Sequence, residues 1–67
     1  MGKLYDYCQQ IQDHIDRNQL DVFKSRGELA LRCGFLVSLI GPNDADDPQK
    51  IEALRKAAKD VFGLDLN

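Results

Sequence analysis

Residues 33–43 carry no charged side chain, although charged residues make up 30% of this 67-residue chain. Within this segment every residue from Phe35 to Ile40 is apolar except Ser38. A segment that is apolar on every side must be enclosed on every side to leave water. In so short a chain, the enclosing material is the two flanking segments, helped if necessary by a second copy of the chain.

The segments on either side have the periodicity of amphipathic helices. The first, about residues 3–17, carries an apolar stripe at helical spacing: Leu4, Tyr7, Cys8, Ile11 and Ile15. The last, about residues 47–62, is expected to face inward with Ile51, Leu54, Ala58, Val61 and Phe62. Both patterns therefore predict helices that pack on a shared core.

Capping signals predict where these helices begin and end. Asn18 is suited to end the first helix or to begin the next one. Asp46 or Asp47 is placed to cap the last helix, with Pro48 in its first turn. Gly63 should end that helix, with the following leucine folding back on its last turn.

The middle of the chain predicts one helix over about residues 20–40. Ser25-Arg26-Gly27-Glu28 has the form of a capping box, so a break near Ser25 is the alternative. Beyond Gly27 the apolar positions are too many for one stripe, and this helix is expected to become central. The predicted fold is a single all-α domain over residues 1–67, a bundle of three helices, or of four if the second breaks.

Charge and targeting signals restrict the partners. The formal net charge of −2 gives no electrostatic reason to bind nucleic acid or an anionic membrane. Residues 1–11 lack the apolar run of a secretory signal, and the uncharged segment is too short to span a membrane, so a cytoplasmic location is expected. Cys8 and Cys33 are expected to be reduced core residues, and a disulfide between the first two helices is the alternative.

The sequence offers little site chemistry. The acidic run after Pro42 fails as a calcium loop because Gln49 and Arg55 stand where a glycine and a glutamate are needed. His14 is the only histidine, is expected to face solvent, and has no ligand cluster around it. We expect no catalytic residue, no bound metal and no cofactor, and hence no enzyme.

Small residues recur every four positions at Ala30, Gly34 and Ser38, which on a helix would form a groove. The groove can pack on the chain's own first or third helix, or it can form a homodimer contact. The predicted interaction surface comprises Ala30, Gly34, Phe35, Leu36, Val37, Ser38, Leu39 and Ile40. The favoured function is protein–protein interaction or self-association by a homodimer.

The segment around Gly34 resembles the first half of a helix-turn-helix motif over about ten residues. The resemblance consists of Leu29, Ala30, Cys33, Gly34 and Phe35, which match that motif's alanine, turn glycine and flanking apolar positions. The resemblance implies a DNA-binding regulator as the alternative function. However, the recognition helix would present residues 35–40, which are hydrocarbon rather than the polar groups that read base edges. The third helix has a basic face formed by Lys50, Arg55, Lys56 and Lys59. Of these, Arg55, Lys56 and Lys59 would have to supply the phosphate contacts.

Overall fold

The computed structural model describes residues 2–67 and contains three α-helices. These are α1 (Lys3–Arg17), α2 (Val22–Cys33) and α3 (Pro48–Phe62), and a 3-10 helix at Val37–Leu39 lies between the last two. No strand occurs among these residues, and the predicted all-α fold of three helices is confirmed. Helix α3 packs against both α1 and α2, so the shared core lies along α3.

Helix α1 contributes more buried apolar residues to the core than any other element. Its predicted stripe is confirmed, because all five of its members are buried: Leu4, Tyr7, Cys8, Ile11 and Ile15. They pack with Leu29 of α2 and with Leu54, Ala57 and Ala58 of α3. The helix ends at Asn18, whose side-chain amide donates to the carbonyl oxygen of His14 at 2.8 Å. The predicted stop at this residue is therefore confirmed.

Helix α3 begins and ends as predicted. The Asp47 carboxylate accepts a hydrogen bond from the Gln49 N–H at 2.9 Å, and Pro48 occupies the first helical position. At the other end Gly63 adopts a left-handed conformation with φ of 65°. The N–H of Gly63 donates to the carbonyl oxygen of Lys59 at 2.9 Å, which is the bond of a left-handed glycine cap. The N–H of Leu64 folds back to donate to the carbonyl oxygen of Ala58 at 3.3 Å.

Helix α2 is shorter than predicted. Asp21, not Ser25, caps its start by accepting a hydrogen bond from the Lys24 N–H at 3.0 Å, and the helix continues through Ser25 without a break. It ends at Cys33 because Gly34 is left-handed, with φ of 85°. The predicted helix over residues 20–40 is wrong beyond Cys33. Gly34 is a helix terminator rather than a member of a helical groove.

The uncharged segment therefore follows α2 as an irregular connection. Val37 reaches the core, but Leu36 and Leu39 remain exposed in the isolated chain. The prediction of an enclosed central helix is wrong, because one side of the segment packs against the core while the other faces water. Helix α3 packs more extensively on each of the other helices than those two pack on one another, and the interior of α2 contributes only Leu29 and Ser25 as buried residues.

Hydrogen bonds to Asp46 link the connection between α2 and α3 to the start of α1. The Asp46 carboxylate accepts hydrogen bonds from the backbone N–H groups of Leu4 at 3.1 Å and Lys3 at 3.0 Å. These bonds, the one from Leu4 first, lower the pKa of the Asp46 carboxyl group below its ordinary value of 3.8. Gly2 lies so close that a Cβ there would stand 2.5 Å from a carboxylate oxygen of Asp46. A residue distant in sequence therefore caps α1.

The carboxyl-terminal residues pack back on α1. Leu66 is buried in the core, and the backbone of Asn67 exchanges two hydrogen bonds of 3.3 Å with the side-chain amide of Gln10. This contact was not predicted, because the two leucines after the Gly63 stop, Leu64 and Leu66, are too few to show a periodicity. The tail thus supplies part of the cover that α1 needs.

The Asp46→Ala variant should lower the free energy of unfolding at neutral pH, because two N–H groups of α1 lose their acceptor. Since the pKa is lowered on folding, the stabilisation is present above the ordinary carboxyl pKa and is lost as the pH falls through the lowered value. Urea unfolding should show a constant difference from wild type above about pH 5, and this difference should shrink as the pH falls below the ordinary carboxyl pKa of 3.8. Asp13→Ala, which removes an exposed i,i+4 pair with Arg17, is the control. A difference that does not change with pH would contradict this role.

Two glycines in and after α2 should respond to alanine in opposite directions. The left-handed backbone of Gly34 makes alanine there unfavourable by about 1–2 kcal/mol. Gly27 lies inside α2, and a Cβ there would meet nothing within 4 Å, so alanine should stabilise by up to about 1 kcal/mol. Urea unfolding at low protein concentration measures both changes. If α2 continued as a helix to residue 40, both variants would be stabilised.

Candidate interaction surface

Within residues 2–67, the large apolar side chains that are more than half exposed form two groups, and Leu20 before α2 is exposed to a smaller degree. Phe23 is 89% exposed and Leu31 is 87% exposed, both on the outer face of α2. Leu36 is 53% exposed and Leu39 is 74% exposed, both in the connection after α2. We call Phe23, Gly27 and Leu31 the α2 stripe, and Leu36 with Leu39 the loop patch.

The α2 stripe arises because this helix is apolar on two faces. Leu29 and Ser25 point into the core, whereas the stripe residues, spaced four apart, lie on the opposite side. Gly27 in its middle has open space where a side chain would be. The stripe is therefore two large side chains separated by a gap.

The loop patch borders a shallow hollow beside the start of α1. Leu36, Leu39 and Phe35 contribute apolar surface to this hollow, and Asp44 and Lys50 contribute charge. The Lys50 ammonium group lies 5.5 Å from the centre of the Phe35 ring, within the range of a cation–π contact. Asp44 holds the backbone here, since its carboxylate accepts a hydrogen bond from the Gly41 N–H at 2.7 Å.

The predicted interaction residues are not arranged as one helical face. Leu36, Ser38, Leu39 and Gly34 are exposed, whereas Val37 is buried and Ala30, Phe35 and Ile40 are half-buried. The groove of Ala30, Gly34 and Ser38 does not form, because the helix ends before Gly34. Phe23 was not predicted as part of this surface, and Leu31 was one of the apolar positions after Gly27 from which α2 was expected to become central. The signal available was their spacing of eight residues with Gly27 midway.

The helix-turn-helix geometry does not form in residues 34–47. That motif joins its helices through a turn of three or four residues, but here the connection holds only the 3-10 helix at Val37–Leu39. Of the cations on α3, Arg55 pairs with Glu52 at 3.3 Å and Lys59 pairs with Asp65 at 3.1 Å. The basic face of α3 is thus partly neutralised by neighbouring acids.

The groups with catalytic potential are not assembled into a site. His14 is half-buried rather than solvent-facing, with its ring centre 5.4 Å from that of Phe62 and one ring nitrogen 3.3 Å from the Asn18 amide. Cys8 and Cys33 are free thiols, and the Cys33 thiol donates to the carbonyl oxygen of Phe35 at 3.2 Å. No three His, Cys, Asp or Glu residues between Gly2 and Asn67 are grouped so that they could hold a metal ion.

Comparison of this chain with protein-family models, with curated proteins and with solved structures finds no match. In the part of the chain that the structure describes, none of the helices has the length and apolar character needed to cross a membrane.

Burial makes Cys8 a poor nucleophile. Burial, together with the nearby Cys33, raises the pKa of the Cys8 thiol to about 11 from an ordinary value of 9.0. Folding thus favours the neutral thiol, and the associated stabilisation is present below about pH 9 and is lost as the pH rises through about 11.

In a Cys33→Ser variant at pH 9, iodoacetamide should alkylate Cys8 more slowly in the folded protein than in urea, on the order of tenfold or more, because burial is the larger cause of the shift. Mass spectrometry over time measures the rate, and a Cys8→Ser variant reports the reactivity of Cys33 alone. Equal rates for Cys8 in the folded and unfolded chain would show that the thiol is accessible and ionised.

Proposed function

We propose that this chain is a small non-catalytic helical protein that works by protein–protein contact, with self-association as its primary form. The observation that supports this is the nearly complete exposure of Phe23 and Leu31 on one face of one helix. Single exposed apolar residues are ordinary on protein surfaces and need no explanation. Two large ones aligned on a rigid helix form a surface that gains free energy when another protein covers it.

The loop patch supports the same function. Leu36 and Leu39 belong to the surface predicted from the uncharged segment, and both remain exposed when Val37 beside them is buried. The isolated chain therefore leaves apolar area uncovered on two elements. A second protein surface is the simplest cover for both, since a short chain has little material of its own to spare.

The other functional classes have less support. The Cys8 thiol is buried with a raised pKa, and His14 packs on Phe62 instead of standing beside a nucleophile. The helix that would read DNA bases is not formed in residues 34–47, and two of the α3 cations are paired with acids. These features favour a contact surface over catalysis or DNA binding.

The test is the solution mass as a function of concentration. Sedimentation equilibrium of the wild-type chain should give a mass that rises above 7.6 kDa with concentration. A variant with serine at Phe23, Leu31, Leu36 and Leu39 should stay at the monomer mass and keep its helical circular dichroism, because these side chains contribute little to the core. Serine at the exposed Gln9 and Gln49 is the matched control and should associate like wild type. A wild-type chain that remains monomeric at about 1 mM would overturn the proposed self-association.

A further inference from the structure

The α2 stripe is nearly symmetric about Gly27. Four residues separate Gly27 from Phe23 on one side and from Leu31 on the other. With a rise of about 1.5 Å per residue, the two large side chains lie about 6 Å before and after the glycine along the helix axis. Reversing the helix about Gly27 therefore exchanges one large apolar side chain for the other.

From this symmetry we infer that two copies of the chain pair through α2 in an antiparallel arrangement, with the two-fold axis beside Gly27. The inference rests on the proposed self-association and names its contact. Phe23 of each copy packs on Leu31 of the other, and the paired glycines let the helix backbones approach closely. The space at Gly27 is open among the residues that the structure describes, because a Cβ there would meet no atom within 4 Å.

The charges beside the stripe favour the antiparallel orientation. Lys24 follows Phe23 and Glu28 follows Gly27, so both lie on the same edge of the stripe. Neither forms an ion pair with another residue between Gly2 and Asn67. An antiparallel two-fold pair brings this edge of one copy beside the same edge of the other. Lys24 then lies about 3 Å along the axis from Glu28 of the second copy, and this ion pair forms twice. The two Glu28 side chains approach at the same axial distance only once, so attraction exceeds repulsion.

The parallel orientation has a less favourable charge pattern. It would place the edge of Lys24 and Glu28 beside the opposite edge of the second copy, which carries Arg26. Arg26 already donates a hydrogen bond to the side chain of Gln12 across to α1. It would lie about 3 Å along the axis from both Lys24 and Glu28 of the other copy, so its repulsion and its attraction offset each other. Antiparallel helices also align their macrodipoles favourably.

The expected dimer is weak. Specific interfaces bury about 1,200 Å² or more in total, and the α2 stripe supplies only two large side chains per copy. Association should therefore depend strongly on concentration. The flanking ion pairs should then have a measurable effect on the dissociation constant and on its dependence on salt.

Charge exchange on this edge tests the pairing. The K24E chain has two acids on the edge and the E28K chain two lysines, so each alone should dimerise on the order of five- to tenfold more weakly than wild type at low salt. An equimolar mixture of the two should recover dimers, and so should the K24E/E28K double variant, because attraction is restored in both. K56E, which changes net charge equally at an exposed site on α3, should behave like wild type. Sedimentation equilibrium measures association, and circular dichroism verifies folding.

The outcomes separate this inference from the function on which it rests. If the wild-type chain stays monomeric, both fail. If it dimerises but the mixture recovers nothing, or K24E equals K56E, the α2 pairing is wrong while self-association stands. Stronger association of the K24E chain alone would indicate parallel helices and would overturn the antiparallel pairing. Loss of dimers only when Leu36 and Leu39 are replaced by serine would place the contact in the loop patch instead.

Discussion

The left-handed backbone of Gly34 is the constraint on which the arrangement of this chain depends. It ends α2 at Cys33 and turns the uncharged residues that follow out of the helical path. As an irregular connection they can bury Val37 and still carry Asp46 to the start of α1. A continuous helix to residue 40 would instead run about 10 Å beyond Cys33 along its axis. The cap on α1 and the packing of Val37 thus both follow from one backbone angle.

Much of the fold could be predicted because α1 and α3 combine regular periodicity with strong end signals. The five stripe residues of α1 and the Asp47, Pro48 and Gly63 caps of α3 act locally, so sequence spacing is enough to find them. The prediction that Gly34 lies inside a helix was wrong. Gly34 lies four residues after Ala30 and four before Ser38, and this spacing of small residues also suits a groove on a helix. The basic residue Arg32 in the turn before it is typical of a helix end, and this signal favoured the observed stop.

The contacts that sequence could not supply are those between distant residues. Asp46 caps a helix that begins 43 residues earlier, and Asn67 bonds to Gln10 across 57 residues. The candidate surface was only half predicted for a related reason. Periodicity indicates that Phe23 and Leu31 share a face, but whether another element covers that face depends on the packing of the whole chain. Leu36 and Leu39 were included because their segment lacks charge, although the reason given, an enclosed helix, was wrong.

The α2 stripe and the loop patch differ in how much conformational freedom they lose when another protein covers them. Helix α2 is held by Leu29 in the core and by an exposed ion pair of 3.8 Å between Arg32 and Asp60 of α3. Its outer stripe is therefore presented on a regular helix, and covering it immobilises only two side chains. The loop patch stands on irregular backbone held mainly by Val37 and the Asp44 turn. Binding there orders more of the chain, so equal apolar area gives less affinity. This difference makes the α2 stripe the stronger candidate for the primary contact.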